Sequence, residues 1–208
     1  MSGQVLVLAK APVPGRVKTR LCPPCTPEQA ARLAAAALAD TLDVVAATPV
    51  GSRVLVIDGG YPAPPGWKTR DQRGGPLGDR LANAFADGPA VPTVLVGMDT
   101  PQLTTAHLAE ALRPVTTPDG PDAVLGLAED GGWWALGLRR PADAEVLRDI
   151  PTSTAETGAR TLAGLRGRGL RVALLPVLRD VDTVDDAYAV AGRCPPESRF
   201  ARALAAVR

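Results

Sequence analysis

Short, continuous apolar runs alternate with helix-forming segments along almost the whole chain, and this alternation restricts the possible folds more than any other feature of the sequence. Uninterrupted apolar runs of this length are typical of strands that are buried on both faces of a sheet. The predicted strands cover residues 4–9 (QVLVLA), 53–57 (RVLVI), 93–98 (TVLVGM), 122–127 (DAVLGL), 133–138 (WWALGL) and 170–178 (LRVALLPVL).

Helix-forming segments lie between most of these runs. Residues 26–29 (TPEQ) combine an N-cap residue, a proline at the first helical position and a glutamine three residues after the cap, which predicts a helix start. This Ala/Leu-rich helix should extend to about residue 47. Further helices are predicted over 78–86, 105–112, 155–166 and 184–191, and the tail 195–208 could form one more.

We therefore predict an α/β fold in which a mostly parallel sheet lies between two layers of helices, a three-layer α/β/α arrangement. No repeat and no linker interrupts the sequence, so residues 1–208 should form a single domain. The segments 61–66 (YPAPPG) and 71–78 (DQRGGPLG) are loops that are too short to separate domains. Ligands of such sheets bind at the carboxyl ends of the strands, so the residues that follow the strands are the first candidates for function.

The overall charge argues against two classes of partner. With 23 Lys and Arg against 22 Asp and Glu, the formal net charge is +1, which provides no general attraction to nucleic acid or to anionic membranes. Only 3% of the residues are aromatic, so the chain lacks a platform for base stacking. We therefore expect small-molecule partners, and neither nucleic acid nor membrane.

Several features favour a cytoplasmic protein. No apolar run approaches the roughly 20 residues that span a bilayer, and the first ten residues, MSGQVLVLAK, have no basic segment before their short apolar run. The three cysteines, Cys22, Cys25 and Cys194, are too few for a disulfide framework. Cys22 and Cys25 have the CxxC spacing of redox or zinc sites, but further ligands are scarce, so we interpret them as ordinary loop residues.

A stiff basic loop follows the first strand. Residues 10–20 (KAPVPGRVKTR) contain two prolines, which restrict the backbone. The predicted nucleotide- or phosphate-binding residues of this loop are Gly15 and the cations Lys10, Arg16, Lys18 and Arg20. The chain uses 20 arginines and only 3 lysines, yet two of the lysines lie in this loop. Because lysine is a compact point charge suited to phosphate, we favour a phosphate site over a merely solvated basic segment.

Aspartates follow two of the predicted strands. Asp99 ends the third strand, and Asp180 and Asp182 follow the last long strand, where the alternation of an extended chain would place both carboxylates on one side. These carboxylates could bind Mg2+ (or Mn2+), which takes a few carboxylates together with water and substrate phosphates. For Asp182 the alternative is equally strong, because Asp182 or Thr183 could simply cap the following helix.

The sequence EDGGWW at 129–134 follows the fourth strand. Its two glycines, Gly131 and Gly132, either form a hairpin turn or let a ligand approach the backbone closely. Asp130 could bind an acceptor hydroxyl or a second metal ion, although an Asp-Gly turn needs no ligand to explain it. We predict that these three residues and Trp133 form an acceptor or sugar site, and that one of the two neighbouring tryptophans belongs to the core.

Gly75 and Gly78 lie in a glycine-rich approach to the helix at 78–86 and could cradle a polar part of a nucleotide. The pattern is neither a Walker motif nor a dinucleotide fingerprint, so an ordinary loop is a strong alternative. The single histidine, His107, falls in a predicted helix, and no Ser/His/Asp or Cys/His set indicates a hydrolase.

A resemblance to a known superfamily rests on five segments, AKAPVPGRVKTRL (9–21), PLGDRL (76–81), GMDTPQL (97–103), EDGGWWALGL (129–138) and DVDT (180–183). In this order they resemble the nucleotide-diphospho-sugar transferase superfamily with the glycosyltransferase-A (GT-A) fold. The most similar branch is labelled radical-SAM/selenodomain-associated transferase or simply glycosyltransferase. The resemblance covers nearly the whole chain and implies a Rossmann-like sheet in an enzyme that uses nucleotides.

The resemblance also implies roles for particular residues. Asp99 would be the metal-binding aspartate, Asp180 or Asp182 the second acidic ligand, and the loop 10–20 would lie over phosphates. The sequence departs from the pattern in two places that bear on the substrate. The Pro/Lys/Arg loop replaces the glycine-rich phosphate loop of sugar nucleotidyltransferases, and Trp133 stands where the branch commonly has Tyr. The resemblance therefore does not identify donor or acceptor.

Three functions are compatible with these residues. We favour nucleotidyl transfer, in which a small phosphorylated acceptor attacks the α-phosphorus of an NTP and the loop cations stabilise the departing pyrophosphate. Four loop cations suit a triphosphate better than a diphosphate, and the loop is also similar to that of phospholactate guanylyltransferases. The alternatives are glycosyl transfer from an NDP-sugar, with Asp130 contacting the sugar or acting as base, and a noncatalytic nucleotide-binding protein. The catalytic candidates are Lys18, Asp99 and Asp130.

Overall fold

Seven strands form one sheet in a computed structural model that describes residues 3–207. Six of these strands coincide with the predicted apolar runs, apart from small shifts at their ends. The strands are β1 (Gln4–Lys10), β2 (Ser52–Asp58), β3 (Lys68–Asp71), β4 (Thr93–Val96), β5 (Ala123–Ala128), β6 (Trp133–Leu138) and β7 (Val172–Leu178). The apolar pattern did not predict β3, because its sequence KTRD contains no apolar residue and it lies at the edge of the sheet beside β2.

The strand order is β3-β2-β1-β4-β6-β5-β7. β1 is parallel to β2 and β4, β3 is parallel to β2, and β7 is parallel to β5, whereas β6 runs antiparallel to both β4 and β5. The prediction of a mostly parallel, Rossmann-like sheet is therefore confirmed. Because β6 runs the opposite way, its first residue, Trp133, lies at the same edge of the sheet as the carboxyl ends of the parallel strands.

Six α-helices occur in the described residues, namely α1 (Pro27–Ala47), α2 (Leu77–Ala86), α3 (Thr105–Thr116), α4 (Thr157–Gly167), α5 (Val184–Ala191) and α6 (Arg199–Ala205). The predicted start of α1 is confirmed, because Thr26 Oγ1 accepts a hydrogen bond from the Gln29 amide and the Gln29 side chain accepts one from the Thr26 amide. Two 3-10 segments, Thr19–Leu21 and Pro141–Asp149, were not predicted. None of the described helices is both long and apolar enough to cross a membrane.

The C-terminal helix is shorter than the one predicted over 195–208. α6 begins only at Arg199, because the side chain of Ser198 accepts a hydrogen bond from the Ala201 amide and caps the helix there. Arg208, and the residues 1–2 that open the segment used to predict a cytoplasmic protein, lie outside the described residues.

Apolar side chains cover both faces of the sheet. On one face, the strands pack against α1 and α3, and on the other they pack against α2, the segment Pro141–Asp149 and α4. A third cluster joins α1 to α5 and α6 and includes the buried Cys25 and Cys194. All three cysteines are free. The two covered faces leave the carboxyl edge of the sheet as the place where loops can form a site.

The buried carboxylate of Asp40 fastens α6 to α1. Its Oδ1 accepts a hydrogen bond from the Arg199 amide at 3.1 Å, and its Oδ2 accepts one from the Phe200 amide at 2.9 Å. The guanidinium of Arg199 pairs with both Asp40 and the exposed Asp43. Asp40 therefore satisfies the first amides of a helix that contains no acidic residue in its own first turn.

We expect Asp40→Ala to lower the free energy of unfolding by about 2–3 kcal/mol, because it leaves the amides of Arg199 and Phe200 without their acceptor. Asp43→Ala removes only an exposed ion pair with the same arginine and should cost less than about 1 kcal/mol. Urea denaturation of the two variants beside the wild type measures the difference. Equal losses would show that the hydrogen bonds from these two amides to Asp40 contribute nothing beyond the ion pairs of Arg199.

Candidate active site

A cleft of about 830 Å³ opens at the carboxyl ends of β1 and β4. Four of the segments that line it are far apart in the sequence: the basic loop 10–20, the residues after β4, the β5–β6 hairpin and the residues after β7. The last of these reaches the cleft because the Val181 amide donates a hydrogen bond to the Asp99 carbonyl at 2.9 Å. This contact ties the end of an edge strand to the end of a central one.

Most of the predicted site residues meet in this cleft. Its lining contains Lys10, Arg16, Lys18, Arg20, Asp99, Asp130, Gly132, Trp133, Asp180 and Asp182. The predicted nucleotide-binding Gly15, Gly75 and Gly78, and the predicted acceptor-site Gly131, are not among the residues that line it.

The Lys18 ammonium stands between the aspartates. Its Nζ lies 2.6 Å from Asp99 Oδ1 and 3.7 Å from Asp182 Oδ1, and it also donates a hydrogen bond to the Val181 carbonyl. Only 10% of the Lys18 side chain is exposed, although the residue comes from a surface loop. Arg20 contacts the other oxygen of Asp182 at 3.3 Å from a largely exposed position. One lysine of the basic loop thus points inward, to the carboxylates.

Asp180 carries the strongest electrostatic perturbation of the cleft. Burial raises the pKa of Asp180 to about 7, with further upward contributions from the carboxylates of Asp99 and Asp130, while Lys18 opposes the shift. Its Oδ1 is buried and has no hydrogen-bond partner among the described residues. A buried carboxylate oxygen without a donor is unfavourable unless a cation or a proton compensates for it.

The cap of α5 leaves Asp182 free for the cleft. Thr183 is the N-cap residue: its hydroxyl accepts a hydrogen bond from the Asp186 amide, and Asp186 Oδ2 accepts one from the Thr183 amide at 2.8 Å. The helix start is therefore satisfied by Thr183 and Asp186. Of the two capping residues considered from the sequence, Thr183 performs this role, and the Asp182 side chain pairs with Lys18 and Arg20 instead.

The donor set of the cleft suits a hard divalent cation. Asp99, Asp180 and Asp182 supply carboxylate oxygens, which Mg2+ and Mn2+ prefer, and the buried Oδ1 of Asp180 has no hydrogen-bond partner among the described residues. Over residues 3–207, however, no group of three or more His, Cys, Asp or Glu side chains is gathered into a metal-binding cluster. The Lys18 ammonium is the cation that contacts Asp99 and Asp182 in this arrangement.

The β5–β6 hairpin forms another part of the cleft lining. Asp130 Oδ1 accepts a hydrogen bond from the Gly132 amide at 2.8 Å, which forms a turn of the kind expected for an Asp-Gly sequence. Gly131 has φ of +89°, and a Cβ there would lie only 2.0 Å from the Ala155 carbonyl oxygen. Gly131 is thus required for the close approach of the segment before α4, while Asp130 and Gly132 face the cleft.

The two adjacent tryptophans have different environments. Trp133, a predicted residue of the acceptor or sugar site, is partly buried and lines the cleft. Trp134 is 2% exposed, donates a hydrogen bond from Nε1 to the Pro176 carbonyl at 3.0 Å and packs over Gly126. Trp134 is therefore the core residue of the pair.

Sequence reasoning did not identify every residue of the lining. Arg80 lies 3.8 Å from Asp58 and donates a hydrogen bond to Gln72, whose own amide group donates to the Ala9 carbonyl. Asp58 ends β2, so the strand-end argument used for Asp99 could have found it. The hydroxyl-bearing segment 152–154 also lines the cleft, and nothing in its sequence signals that position.

Gly75 and Gly78 have unequal surroundings. Gly78 is buried, and a Cβ there would lie 2.4 Å from the Leu147 carbonyl oxygen, so it is the point at which α2 contacts the segment Pro141–Asp149. Gly75 is exposed, and a Cβ there would meet nothing within 4 Å. Close packing accounts for the glycine at 78 but not for the one at 75.

Sequence comparison assigns the chain to a family. A family described as "Uncharacterized protein conserved in bacteria (DUF2064)" matches residues 29–154, which is more than half of the chain. The chain belongs to this family. The DUF2064 match includes Asp99 and Asp130, whereas the basic loop and the aspartates after β7 lie outside the matched residues. No curated protein matches the chain.

Three solved structures are similar to this DUF2064 member over most of its length. A protein from Desulfovibrio desulfuricans G20, named a "putative nucleotide-diphospho-sugar transferase", is 28% identical with a TM-score of 0.82, over 97% of this chain and 94% of that one. Rv0371c from Mycobacterium tuberculosis H37Rv, in complex with manganese, is 21% identical with a TM-score of 0.56, over 91% and 98%. The 2-C-methyl-D-erythritol 4-phosphate cytidylyltransferase of Thermus thermophilus is 14% identical with a TM-score of 0.55, over 98% and 99%.

These similarities confirm the predicted superfamily and its Rossmann-like fold. The more distant two relatives share the fold with this chain, and the relatives named for an activity are transferases, which agrees with the prediction of an enzyme. The narrower radical-SAM/selenodomain branch stays a prediction.

Replacing Gly78 by Ala should lower the free energy of unfolding by about 2 kcal/mol or more, because the methyl group would overlap the Leu147 carbonyl. Gly75→Ala, three residues earlier and in open space, should leave stability nearly unchanged. Thermal or urea unfolding of both variants measures this. If Gly78→Ala were as stable as the wild type, the contact between α2 and the segment Pro141–Asp149 would not require a glycine.

Asp180→Asn should stabilise the metal-free protein at alkaline pH. Folding raises the pKa of Asp180 to about 7, so ionisation of this carboxyl destabilises the folded protein. The loss of stability begins as the pH rises above the pKa that Asp180 has in the unfolded chain, and it is complete above about pH 7. In EDTA, we expect the variant to exceed the wild type by on the order of 2 kcal/mol at pH 8, and the difference to shrink between pH 7 and pH 4. Urea titrations at several pH values test this, and a difference independent of pH would contradict it.

Proposed function

We propose that this protein transfers a nucleotidyl group from an NTP to a small phosphorylated acceptor and that a divalent metal ion assists the reaction. The observation that carries the proposal is the combination in one cleft of four loop cations with Asp99, Asp180 and Asp182. Phosphoryl chemistry depends mainly on positioning and on the neutralisation of charge, and such a cleft can supply both. We further propose, from the sequence, that the protein acts in the cytoplasm.

The basic loop would bind the phosphates. Lys10 and Arg16 are exposed residues that line the cleft beside the carboxyl end of β1, so an anion can reach them without moving the core. Arg20 lies farther along the same loop, next to Asp182. Cations at these positions would hold the triphosphate of the donor and stabilise the negative charge that builds on the departing pyrophosphate.

The aspartates would hold the metal ion. Asp99, Asp180 and Asp182 are the residues that would bind Mg2+ or Mn2+, and the ion would neutralise phosphate oxygens when bound. The manganese complex of Rv0371c supports a divalent ion in this fold. The unpartnered oxygen of Asp180 supports the same assignment, because a bound cation would compensate for its burial.

The hairpin side of the cleft would receive the acceptor. Asp130 is exposed there, with one carboxylate oxygen occupied by the Gly132 amide, and Trp133 offers an apolar surface beside it. Asp130 would accept a hydrogen bond from the acceptor and orient its attacking group toward the α-phosphorus.

Glycosyl transfer from an NDP-sugar is the second candidate. The relative from Desulfovibrio desulfuricans G20, named for nucleotide-diphospho-sugar transfer, favours it, because it shares the fold over nearly the whole chain. In this reaction the same cations and metal would hold the diphosphate leaving group, and Asp130 would contact the sugar or act as base on the acceptor. The cytidylyltransferase of Thermus thermophilus supports nucleotidyl transfer instead.

Ligand-induced thermal stabilisation should separate the candidates. A ligand at 100 times its dissociation constant adds about 2.7 kcal/mol of stability, which corresponds to a shift of roughly 5–10 °C for a protein of this size. We expect one NTP with Mg2+ to stabilise the protein more than its NDP-sugars do. A preference for an NDP-sugar would indicate glycosyl transfer, and no shift with any of them would remove the support for a nucleotide substrate.

The bond that is broken can be identified with water as a substitute acceptor. Phosphorus NMR should show slow conversion of the preferred NTP to NMP and pyrophosphate, and Asp99→Asn should slow it by about 100-fold or more. Asp43→Asn, at an exposed position of α1 that does not line the cleft, is the control and should keep the wild-type rate. Release of NDP and free sugar from an NDP-sugar would support the glycosyl alternative, and binding without turnover would favour a noncatalytic role.

A further inference from the structure

The position of Lys18 differs from that of the other cations of the basic loop. Lys10 and Arg16 are exposed, and Arg20 contacts Asp182 from a side chain that is 74% exposed. Lys18 instead directs its ammonium inward to Asp99, Asp182 and the Val181 carbonyl. Two of these partners are the aspartates to which the proposed function assigns the metal ion, so the following inference rests on that proposal.

The backbone around Lys18 determines this inward direction. Lys18 adopts the left-handed conformation, with φ of 49° and ψ of 37°, which is uncommon for a residue with a side chain. Val17 before it and Leu21 after it are buried, so the chain is anchored on both sides of the turn. The ammonium has three protons, and three protein oxygens surround it. Its place among the carboxylates is therefore a feature of the folded loop.

We infer that the Lys18 ammonium pairs with Asp99 and Asp182 until nucleotide binds, and that it competes there with a free divalent metal ion. When nucleotide and metal bind together, Lys18 moves from the aspartates to the phosphates. A divalent ion and an ammonium repel each other strongly at the roughly 3–4 Å separations that shared carboxylates impose. The metal ion can therefore bind these carboxylates without repulsion from Lys18 only when Lys18 has another anionic partner. Phosphates beside the basic loop would provide it.

This arrangement has a functional consequence. Metal alone would bind weakly, because it must displace Lys18 without compensation, whereas metal and nucleotide would each strengthen the binding of the other. Asp99 would also stay neutralised in the empty enzyme, because it keeps its ion pair with Lys18. The buried Oδ1 of Asp180 accepts no hydrogen bond from the described residues. Asp180 would therefore be the carboxylate that the incoming ion stabilises most.

Binding of Mn2+ in the absence of nucleotide, followed by the paramagnetic resonance of the free ion, tests the competition. We expect Lys18→Met to bind Mn2+ at least about tenfold more tightly than the wild type. Arg20→Met is the matched control. It removes the same charge from the same loop, and Arg20 also pairs with Asp182, but its side chain is exposed. It should change the affinity by no more than about twofold to threefold. Equal affinities of the wild type and Lys18→Met would overturn the inference.

Two further variants keep this comparison decisive. Combining Lys18→Met with Asp99→Asn should abolish the gain in Mn2+ affinity, since the gain depends on the released carboxylate, and a gain that persists would place the ion elsewhere and contradict the inference. Lys18→Gln provides the same test if the Met variant is poorly folded. All these measurements use the metal alone, so they stay valid even if no nucleotide binds and the proposed function fails.

The displacement itself can be followed in the wild-type protein. The chain has only three lysines, so lysine labelled with 15N at Nζ gives few side-chain signals, and Lys18→Gln identifies the one that belongs to Lys18. We expect this signal to shift when Mg2+ and the stabilising NTP are added together, and to change little with the same concentration of Mg2+ alone. An unchanged signal at a nucleotide concentration that stabilises the protein would show that Lys18 stays on the aspartates.

Discussion

Parallel pairing of β1 with β2 and β4 is the constraint on which the arrangement of the site depends. Parallel neighbours require connections that return to the opposite end of the sheet, so their carboxyl ends meet at one edge while helices occupy both faces. Lys10 and Asp58, at the ends of β1 and β2, are direct register partners. The segment after β7 reaches the same edge of the sheet through the hydrogen bond from the Val181 amide to the carbonyl of Asp99, which follows β4.

The charges at this edge balance only in part. Lys18 neutralises Asp99 and approaches Asp182, yet Asp180 keeps a buried oxygen without a partner among the described residues and a pKa raised to about 7. A structural ion-pair network would be expected to satisfy all its members, because an unpaired buried carboxylate lowers stability. The residual imbalance is what a site prepared for a further cation and an anionic ligand would show.

The family match and the candidate site cover different parts of the chain. The family match spans residues 29–154 and therefore includes the strand end with Asp99 and the hairpin with Asp130. The basic loop and the aspartates after β7 lie outside it, and only the tertiary structure connects them to the matched part. The similarity to the relative from Desulfovibrio desulfuricans G20 covers 97% of the chain, so the shared fold extends well beyond residues 29–154.

The sequence by itself determined the alternating α/β order, six of the seven strands and the main chemical groups of the cleft, because buried strands need apolar runs and strand ends carry the polar groups. It could not reveal β3, whose exposed edge position imposes no apolar pattern, or the unequal roles of Gly75 and Gly78. Only the tertiary structure decided that Thr183 caps α5, that Trp134 is the core tryptophan and that Lys18 turns inward to Asp99. These choices depend on contacts between segments more than 40 residues apart, or on local hydrogen bonds with several possible acceptors, and residue order alone reveals neither.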